Sequence, residues 1–295
     1  MSFVWETILA TVPAMKAHFL IVLAFTVVEL VIPAERRQST PERFVHAVYN
    51  VSYFVLTPFV MILPAALVVA FTRRLGLGLI HLNLDGLTAG IGALSWPVRN
   101  IFLPLVPLFV SDFFYYWHHR LQHRVPALWT SHRLHHSAEG LNALASYRVH
   151  WLEEPLRVFT MVIPMGILFN ITAVQGAWIA FALAQMGLLI HANVRIPYGP
   201  LTPVILGPQL HRLHHSPAPE HRDRNFAANF PIWDVLFGTY VPPKRGEWPK
   251  TGLVDGDRAH SIPYELAYPF VALWQKTRAL LSGERLPARS GNFRE

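Results

Sequence analysis

The chain has 295 residues, of which 52% are hydrophobic and only 15% are charged. So apolar a composition excludes intrinsic disorder. The lack of cysteine in the sequence excludes disulfide scaffolds, thiolate zinc sites, iron–sulfur clusters and cysteine nucleophiles. The net charge of +7 is a weak indication of nucleic-acid binding, whereas the low charged fraction is typical of a membrane protein. We therefore predict no nucleic-acid partner, and the sixteen histidines need a functional explanation.

Four apolar regions of the sequence predict helices inserted in a membrane. Residues 17–34, 51–72 and 101–117 are each close to or above the roughly 18 apolar residues that cross a hydrocarbon core of about 30 Å. The fourth region, residues 158–190, has no charged residue, yet it is too long for one simple crossing and short for two. The first region is expected to stay as an anchor, because no signal-peptide cleavage site follows it.

The chain becomes polar after residue 190. Residues 192–262 are rich in Pro, His, Arg and Asn, which indicates a water-side domain that folds against the inserted helices. Residues 263–281 mix Tyr, Phe and Trp with Lys276 and Arg278, the composition of a helix that lies in the membrane interface.

Three histidine clusters have the spacing of metal ligands. His119 and His123 stand four residues apart in HHRLQH, and the pattern HRLHH occurs at residues 132–136 and again at residues 211–215. Positions i, i+3 and i+4 share one face of a helix, so each cluster can aim two or three imidazoles at one point. Imidazole is a common ligand of zinc, copper, iron and nickel. The eight imidazoles of the clusters are too many for one ion and fit two ions a few ångströms apart.

The positions of the clusters restrict the topology. If the clusters on both sides of residues 158–190 share one site, the chain leaves and re-enters the membrane on the same side. This predicts a hairpin at about residues 157–191, with a turn near Asn170 and Thr172. Most arginines fall on the histidine side, and positive charge marks the cytoplasmic side of a membrane protein. The predicted fold class is therefore an all-α integral membrane helical bundle of about four inserted regions, with a cytosolic, histidine-rich helical cap.

Four sequence segments resemble the fatty acid hydroxylase or sterol desaturase superfamily of integral-membrane di-iron oxygenases. The segments are DFFYYWHHRLQH (112–123), HRLHHS (132–137), HRLHHS (211–216) and RNFAANFPIWDVLFGTY (224–240). The resemblance covers about residues 100–245. It implies a cytosol-facing centre of two iron ions that uses dioxygen and two external electrons to hydroxylate or desaturate a lipid.

The same resemblance implies the ligands and the domain organisation. The implied iron ligands are His119, His123, His132, His135, His136, His211, His214 and His215, joined by His191 as the additional histidine between the second and third boxes. The expected organisation is N-terminal anchor helices (1–100), a fatty acid hydroxylase-like catalytic domain (101–245) and a C-terminal interfacial helix with a tail (246–295). Some members carry a fused cytochrome b5 domain with a His-Pro-Gly-Gly segment. This chain lacks that segment, so a separate donor of the cytochrome b5, ferredoxin or reductase type is expected.

Two polar residues close to the first histidine cluster are considered for a role at the metal site. Asp112 lies seven residues before His119 on the same helical face, inside an apolar run where a carboxylate is costly. It is predicted to orient a ligating imidazole, and the alternative is a polar partner for a neighbouring helix. His118 points away from the His119 face, so we expect it at the surface or in a hydrogen bond.

Two further sets of polar residues have weaker assignments. His150 with Glu153 and Glu154 forms either a set that supports the ligands or an interfacial salt bridge. Asn225 and Asp234 recur in the C-terminal signature of the resemblance and are interpreted as scaffold or as support for the ligands. No role is assigned to His18, His46, His81 and His260.

The predicted function is lipid C–H hydroxylation, with lipid or sterol desaturation as the alternative. A zinc hydrolase would need an HExxH motif, which the sequence lacks. A haem cytochrome would place histidines within the spans, yet here the clusters lie at the span ends. A metal transporter would place its ligands at the membrane midplane, whereas most of the histidines here follow the third span. The expected location is a multi-pass protein of a bacterial inner membrane, with a lipid substrate taken from the bilayer.

Overall fold

The computed structural model describes residues 2–36, 38–77, 80, 90–98, 102–169, 183–254 and 261–282. These residues are mostly helical, and they form no β-strand beyond two isolated bridges. The helices are α1 (Ser2–Val31), α2 (Thr40–Arg74), α3 (Leu103–Arg124), α4 (Pro126–His136), α5 (Glu153–Arg157), α6 (Ile163–Leu168), α7 (183–191), α8 (Pro208–His214), α9 (Ile232–Leu236) and α10 (Ile262–Ser282). Shorter helical turns are Gly92–Leu94, Ser95–Pro97, Ala143–Tyr147, Val158–Val162 and Gly199–Leu201. The all-α prediction is confirmed for this part of the chain.

None of the helices in the described part of the chain combines the length and the hydropathy that a membrane crossing requires. The predicted hairpin turn near Asn170 and Thr172 lies outside the described residues, as do His81, His260 and the tail after residue 282.

Glu29 attaches α1 to the rest of the molecule. It is the one acid within residues 17–34, and its side chain is buried. Its carboxylate accepts hydrogen bonds from Arg43 Nη2 at 3.0 Å and from the backbone N–H groups of Ala143 at 2.7 Å and Asn193 at 3.0 Å. A buried carboxylate needs such partners. The acid inside the apolar run therefore orders the segment next to His191.

α3 and α4 meet at a break that the sequence encodes. Pro126 restricts the preceding residue to extended backbone, and Val125 has φ −95° and ψ 114°. Pro126 then begins α4, where its missing N–H leaves no helical hydrogen bond unmade. Because α4 packs against α3, the histidines at the end of α3 face those of α4.

α10 lies along α4 and buries one face of an otherwise exposed helix. Glu265, Pro269 and Ala279 are buried, whereas Trp274 is 68% exposed and Leu281 is 85% exposed. A helix predicted at residues 263–281 is thus present at Ile262–Ser282. One face contacts the histidine-bearing helix, and the other presents apolar side chains outward.

Candidate metal centre

The structure brings all nine candidate imidazoles together, in two adjacent groups. The five-histidine group consists of His119, His123, His132, His136 and His214, and the four-histidine group consists of His135, His191, His211 and His215. In each group the nitrogens that can serve as ligands lie within 4.8 Å of one another, and all nine side chains are buried. Each group can therefore hold a metal ion.

Each HRLHH box divides its histidines between the two groups. In α4, His132 and His136 belong to the five-histidine group and His135 to the four-histidine group. In the second box the division is reversed, because His214 alone belongs to the five-histidine group. With 3.6 residues per turn, positions i and i+4 diverge by about 40°, whereas positions i+3 and i+4 diverge by about 100°. One helix therefore serves two sites, and the two boxes link them.

The spacing of the inner nitrogens fits a metal ion. The Nε2–Nε2 distances are 3.1 Å for His119–His132, 3.1 Å for His123–His136, 3.0 Å for His135–His191, 3.0 Å for His191–His211 and 3.1 Å for His211–His215. With nitrogen ligands about 2.1 Å from an ion, two ligands at a right angle are about 3.0 Å apart, and two at a tetrahedral angle about 3.4 Å apart. The spacing matches ligands at right angles better than a tetrahedral zinc site.

Hydrogen bonds at the outer nitrogens leave the inner lone pairs facing each other. His119 Nδ1 donates to the Phe226 carbonyl at 2.8 Å, and His132 Nδ1 donates to Glu153 Oε2 at 3.3 Å. In the neutral form that binds a metal, each ring carries one N–H, so the two Nε2 atoms, 3.1 Å apart, would both present lone pairs. Two such lone pairs repel in a buried site unless a cation lies between them. The arrangement therefore fits a bound metal.

Other imidazoles of the groups are oriented in the same way. His214 Nδ1 donates to the Arg224 carbonyl at 2.7 Å, and His191 Nδ1 donates to the Gly187 carbonyl at 2.7 Å. His123 Nδ1 lies 3.3 Å from Asp223 Oδ1, close enough for an ion pair but without a hydrogen bond. A hydrogen bond at the outer nitrogen of a ligating histidine sets its tautomer and ring orientation.

Burial favours the neutral form of eight of the nine imidazoles, which is the form that binds a metal. Burial lowers the pKa of His191 to about 4 and that of His214 to about 3. Burial and then the neighbouring imidazoles lower the pKa values of His119, His123, His135, His136, His211 and His215 well below the usual value. Burial raises the pKa of Glu153, but His132, His135 and Gln122 together outweigh burial, so the pKa lies below its usual value.

The part of the chain that carries the nine imidazoles is similar to a known protein family. Residues 104–239 match the family model described as fatty acid hydroxylase. We refer to these matched residues as the hydroxylase domain. Both HRLHH boxes and the ends of α3 and α7 that carry ligands lie inside it.

Characterised relatives of the hydroxylase domain act on lipids, according to their names. The chain is 34% identical over 60% of its length to the ornithine lipid hydroxylase of Rhizobium tropici, covering 52% of that protein. It is 35% identical over 45% of its length to the alkylglycerol monooxygenase of Xenopus tropicalis, covering 29%. It is 30% identical over 49% of its length to a fatty acid hydroxylase of Lecanicillium, covering 43%. The chain therefore spans about half or less of these relatives. No solved structure matches the chain.

Asp112 has a different partner from the one expected. Its carboxylate accepts backbone hydrogen bonds from Ala228 at 3.1 Å, Asn229 at 3.0 Å and Phe230 at 2.8 Å, and one from the Asn229 side chain at 3.0 Å. The expected direct contact with an imidazole is thus replaced by an indirect one. The loop that Asp112 holds includes Phe226, whose carbonyl accepts from His119. Helical periodicity identified the face of Asp112 correctly but could not identify the loop that packs there.

Asp234 supports the same loop of the hydroxylase domain from its other end. It accepts backbone hydrogen bonds from Phe226 at 2.7 Å and Ala227 at 2.9 Å. Asn225 pairs with Val241 through its side-chain amide. Both residues hold the segment that carries the Phe226 carbonyl, in line with their interpretation as scaffold.

The three polar residues His150, Glu153 and Glu154 separate in the structure. Glu153 contacts His132 and accepts a hydrogen bond from Gln122 Nε2 at 2.7 Å. Glu154 pairs instead with Tyr53 and Arg157. His150 Nε2 lies 3.0 Å from the carbonyl of Leu266 in α10, away from both histidine groups. The supporting role weighed for all three thus falls to Glu153 alone.

Sequence reasoning missed Asp223 and the three carbonyls that orient imidazoles. Asp223 has a φ of 56°, in the left-handed region that Asp tolerates better than most residues. A backbone carbonyl has no sequence signature, so Gly187, Arg224 and Phe226 could not be found in this way. His118 is buried and its Nδ1 lies 2.8 Å from Thr160 Oγ1, so its hydrogen bond is confirmed and its surface position is wrong.

Proposed function

We propose that this chain hydroxylates a C–H bond of a lipid. The observation that carries the proposal is the pair of adjacent imidazole groups, in which the inner nitrogens face each other in a buried site. In the overall reaction one oxygen atom of dioxygen enters the C–H bond to give an alcohol. The other oxygen leaves as water, with two protons and two electrons from a separate donor. The names of the relatives support a lipid as the substrate.

We propose iron as the metal, with one ion in each histidine group. The donor set is imidazole, with no thiolate, and the five imidazoles of one group exceed the four ligands of a closed tetrahedral zinc site. Bound iron would supply the activation of dioxygen that an unactivated C–H bond requires. The ligands would be the nine imidazoles of the five-histidine and four-histidine groups.

The protein's contribution is to hold the ligands and to keep water out. Each imidazole of the two groups is buried, and the cavity beside His123, His136 and His214 has a volume of only about 20 Å³, room for about one water molecule. The carbonyls of Phe226, Arg224 and Gly187 and the carboxylate of Glu153 keep four rings in one tautomer. The ligands therefore need little rearrangement when a metal binds.

Apolar surfaces beside the site support contact with a lipid membrane. A groove of about 320 Å³ is lined by Leu105, Val106, Phe109, Val110 and Phe230. Phe230 belongs to the loop that Asp112 holds beside the five-histidine group. Exposed apolar residues also line α1, where Leu30 and Val31 are each 74% exposed. Large apolar patches of this kind mark interaction with membranes or other proteins.

We propose that α1 and the outer face of α10 contact the bilayer from which the lipid is taken. Four further points stay predictions. They are the number of membrane crossings, the location in a bacterial inner membrane, the cytoplasmic side of the metal site, and an external electron donor of the cytochrome b5, ferredoxin or reductase type. Each follows from the sequence pattern or from the resemblance, and each has its own test by topology mapping or reconstitution.

Lipid mass spectrometry tests the reaction. Cells that express the wild type should contain a lipid that gains the mass of one oxygen atom, and cells that express His135→Ala should not. His221→Gln is the matched control, because this buried histidine belongs to neither group and lies 3.4 Å from Glu247. Loss of two hydrogen atoms would show desaturation and contradict the proposed hydroxylation. If the protein is metal-loaded and reducible but the mass of no lipid changes, the proposed lipid substrate is wrong.

Metal analysis of the purified protein tests the centre. We expect iron in more than one equivalent per chain and oxygen uptake when a reductant is supplied. A haem absorption band, or zinc alone with hydrolase activity, would overturn the proposed chemistry.

A further inference from the structure

The two HRLHH boxes share an interior Arg-Leu pair for which metal binding alone gives no reason. Leu134 and Leu213 are buried and fill the core on the side of each helix away from the ligands. Arg133 and Arg212 have side chains that are only 2% exposed. A buried guanidinium is costly unless it is paired. The arginine of each box therefore requires a partner of opposite charge.

Arg133 finds its partner in α10. Its Nη1 donates to Glu265 Oε2 at 2.8 Å, and the Glu265 side chain is as buried as that of Arg133. The guanidinium carbon also lies 4.2 Å from the centre of the Tyr268 ring, in cation–π geometry. Glu265 and Tyr268, one turn apart in α10, thus contact the charge and the flat face of the Arg133 guanidinium.

Arg212 finds its partner between α1 and α2. Its guanidinium forms an ion pair with Glu35, and its Nε donates to the Pro249 carbonyl at 2.8 Å. Asn193 holds Glu35 in turn, by accepting from its backbone N–H at 2.9 Å and donating to its carbonyl at 2.9 Å. Asn193 follows the ligand candidate His191 by two residues. The Arg212 contact therefore links the second box to the segment of a third ligand-bearing helix.

Both carboxylates lie outside the hydroxylase domain, which covers residues 104–239. Within each box the arginine stands about 100° from the first histidine around the helix axis, so it flanks the ligand face. A contact on the flank of a short helix opposes rotation about its axis. Rotation would move all three imidazoles of the box, and they serve both histidine groups.

We propose that Arg133 and Arg212 are positioning residues, which fix the rotation of the two ligand helices through Glu265 and Glu35. The inference rests on the proposed function, because it assumes that the histidine groups bind metal. The segments that flank the hydroxylase domain then act as supports of the metal centre. A purely stabilising ion pair is the competing explanation, and buried ion pairs are often replaceable by apolar pairs without loss of stability.

Cobalt(II) titration of the full-length protein separates the two explanations, since cobalt absorption reports ligand geometry. We expect Glu265→Gln and Glu35→Gln to weaken cobalt binding by up to about tenfold, the lower end of the cost of losing a direct outer partner, because both carboxylates act through an arginine. Arg133→Lys should lie between Glu265→Gln and wild type, because lysine keeps the charge but loses the forked geometry. The matched controls, Arg278→Gln on the exposed side of α10 and the exposed Glu220→Gln, should bind cobalt as the wild type does.

A double variant, Arg133→Met with Glu265→Leu, covers the case in which a single variant fails to fold. The apolar pair should keep the helical circular dichroism and the melting temperature, yet bind cobalt more weakly and with a shifted absorption band. Wild-type cobalt affinity and spectrum in this variant and in Glu35→Gln would overturn the positioning role. Loss of helicity in every variant, in parallel with cobalt, would also overturn it. If the wild type itself bound no metal, the proposed function would fail first.

Discussion

The five-histidine group and the four-histidine group differ less in their ligands than in what holds the ligands. In the first, the outer nitrogens of three imidazoles donate to oxygen atoms and a fourth lies beside Asp223. In the second, His191 has such a bond, whereas within the described part of the chain the buried Nδ1 atoms of His135, His211 and His215 have none. The five-histidine group is therefore arranged before a metal arrives, and the four-histidine group depends more on the metal itself.

The largest expected effect comes from removing one ligand at the equivalent position of each box. His215→Ala leaves three imidazoles in its group, whereas His136→Ala leaves four in the other. We expect His215→Ala to weaken metal binding at its group by more than about 100-fold, beyond the cost of losing an outer partner. His136→Ala should have a smaller effect. Metal content per chain measures both, and equal losses would contradict the difference between the groups.

Glu153 contacts the five-histidine group directly, through His132. Its lowered pKa means that Glu153→Gln removes a negative charge at neutral pH. We expect metal affinity of the five-histidine group to fall about 10- to 100-fold, with the four-histidine group little changed. Glu154→Gln is the matched control, since its carboxylate pairs with Tyr53 and Arg157. The expectation fails if both substitutions weaken metal binding equally.

Metal removal by a chelator should proceed in two steps. We expect the four-histidine group to lose its ion first, on the order of tenfold faster, because three of its imidazoles lack outer partners. Stopped-flow chelation of the cobalt-loaded protein measures the two rates. A single rate, or a first step that Glu153→Gln accelerates, would show that the order is reversed or absent.

The smallest expected effect is that of Asp112→Asn, which acts through a loop. The new amide N–H₂ would face a backbone N–H of residues 228–230, which costs about 1–3 kcal/mol of unfolding free energy. Because this loop carries the carbonyl that orients His119, the five-histidine group should also bind metal more weakly. Asn229→Ala removes one of the four bonds to Asp112 and should have a smaller effect on thermal unfolding. The reverse order would contradict the role of Asp112.

Most of the ligand set could be predicted from the sequence because its signal is local. Spacings of three and four residues determine which side chains share a helical face, and eight of the nine imidazoles lie in such patterns. His191 has no such pattern and came from the resemblance alone. Glu153 was a candidate support in the sequence, but its pairing with His132, 21 residues away, could not be predicted, and the orienting carbonyls carry no side-chain signal.

The sequence by itself determined the all-α class and the apolar and polar regions. It also determined the helical faces that His119, His132 and His211 share with the other histidines of their clusters. It also contained the repeated Arg-Leu pair without showing a reason for it. Only the tertiary structure decided how each box divides between two groups, why Asp112 holds a loop, and which carboxylates pair with Arg133 and Arg212. Helical periodicity determines the direction of a side chain on its own helix, and packing between distant segments determines what it meets there.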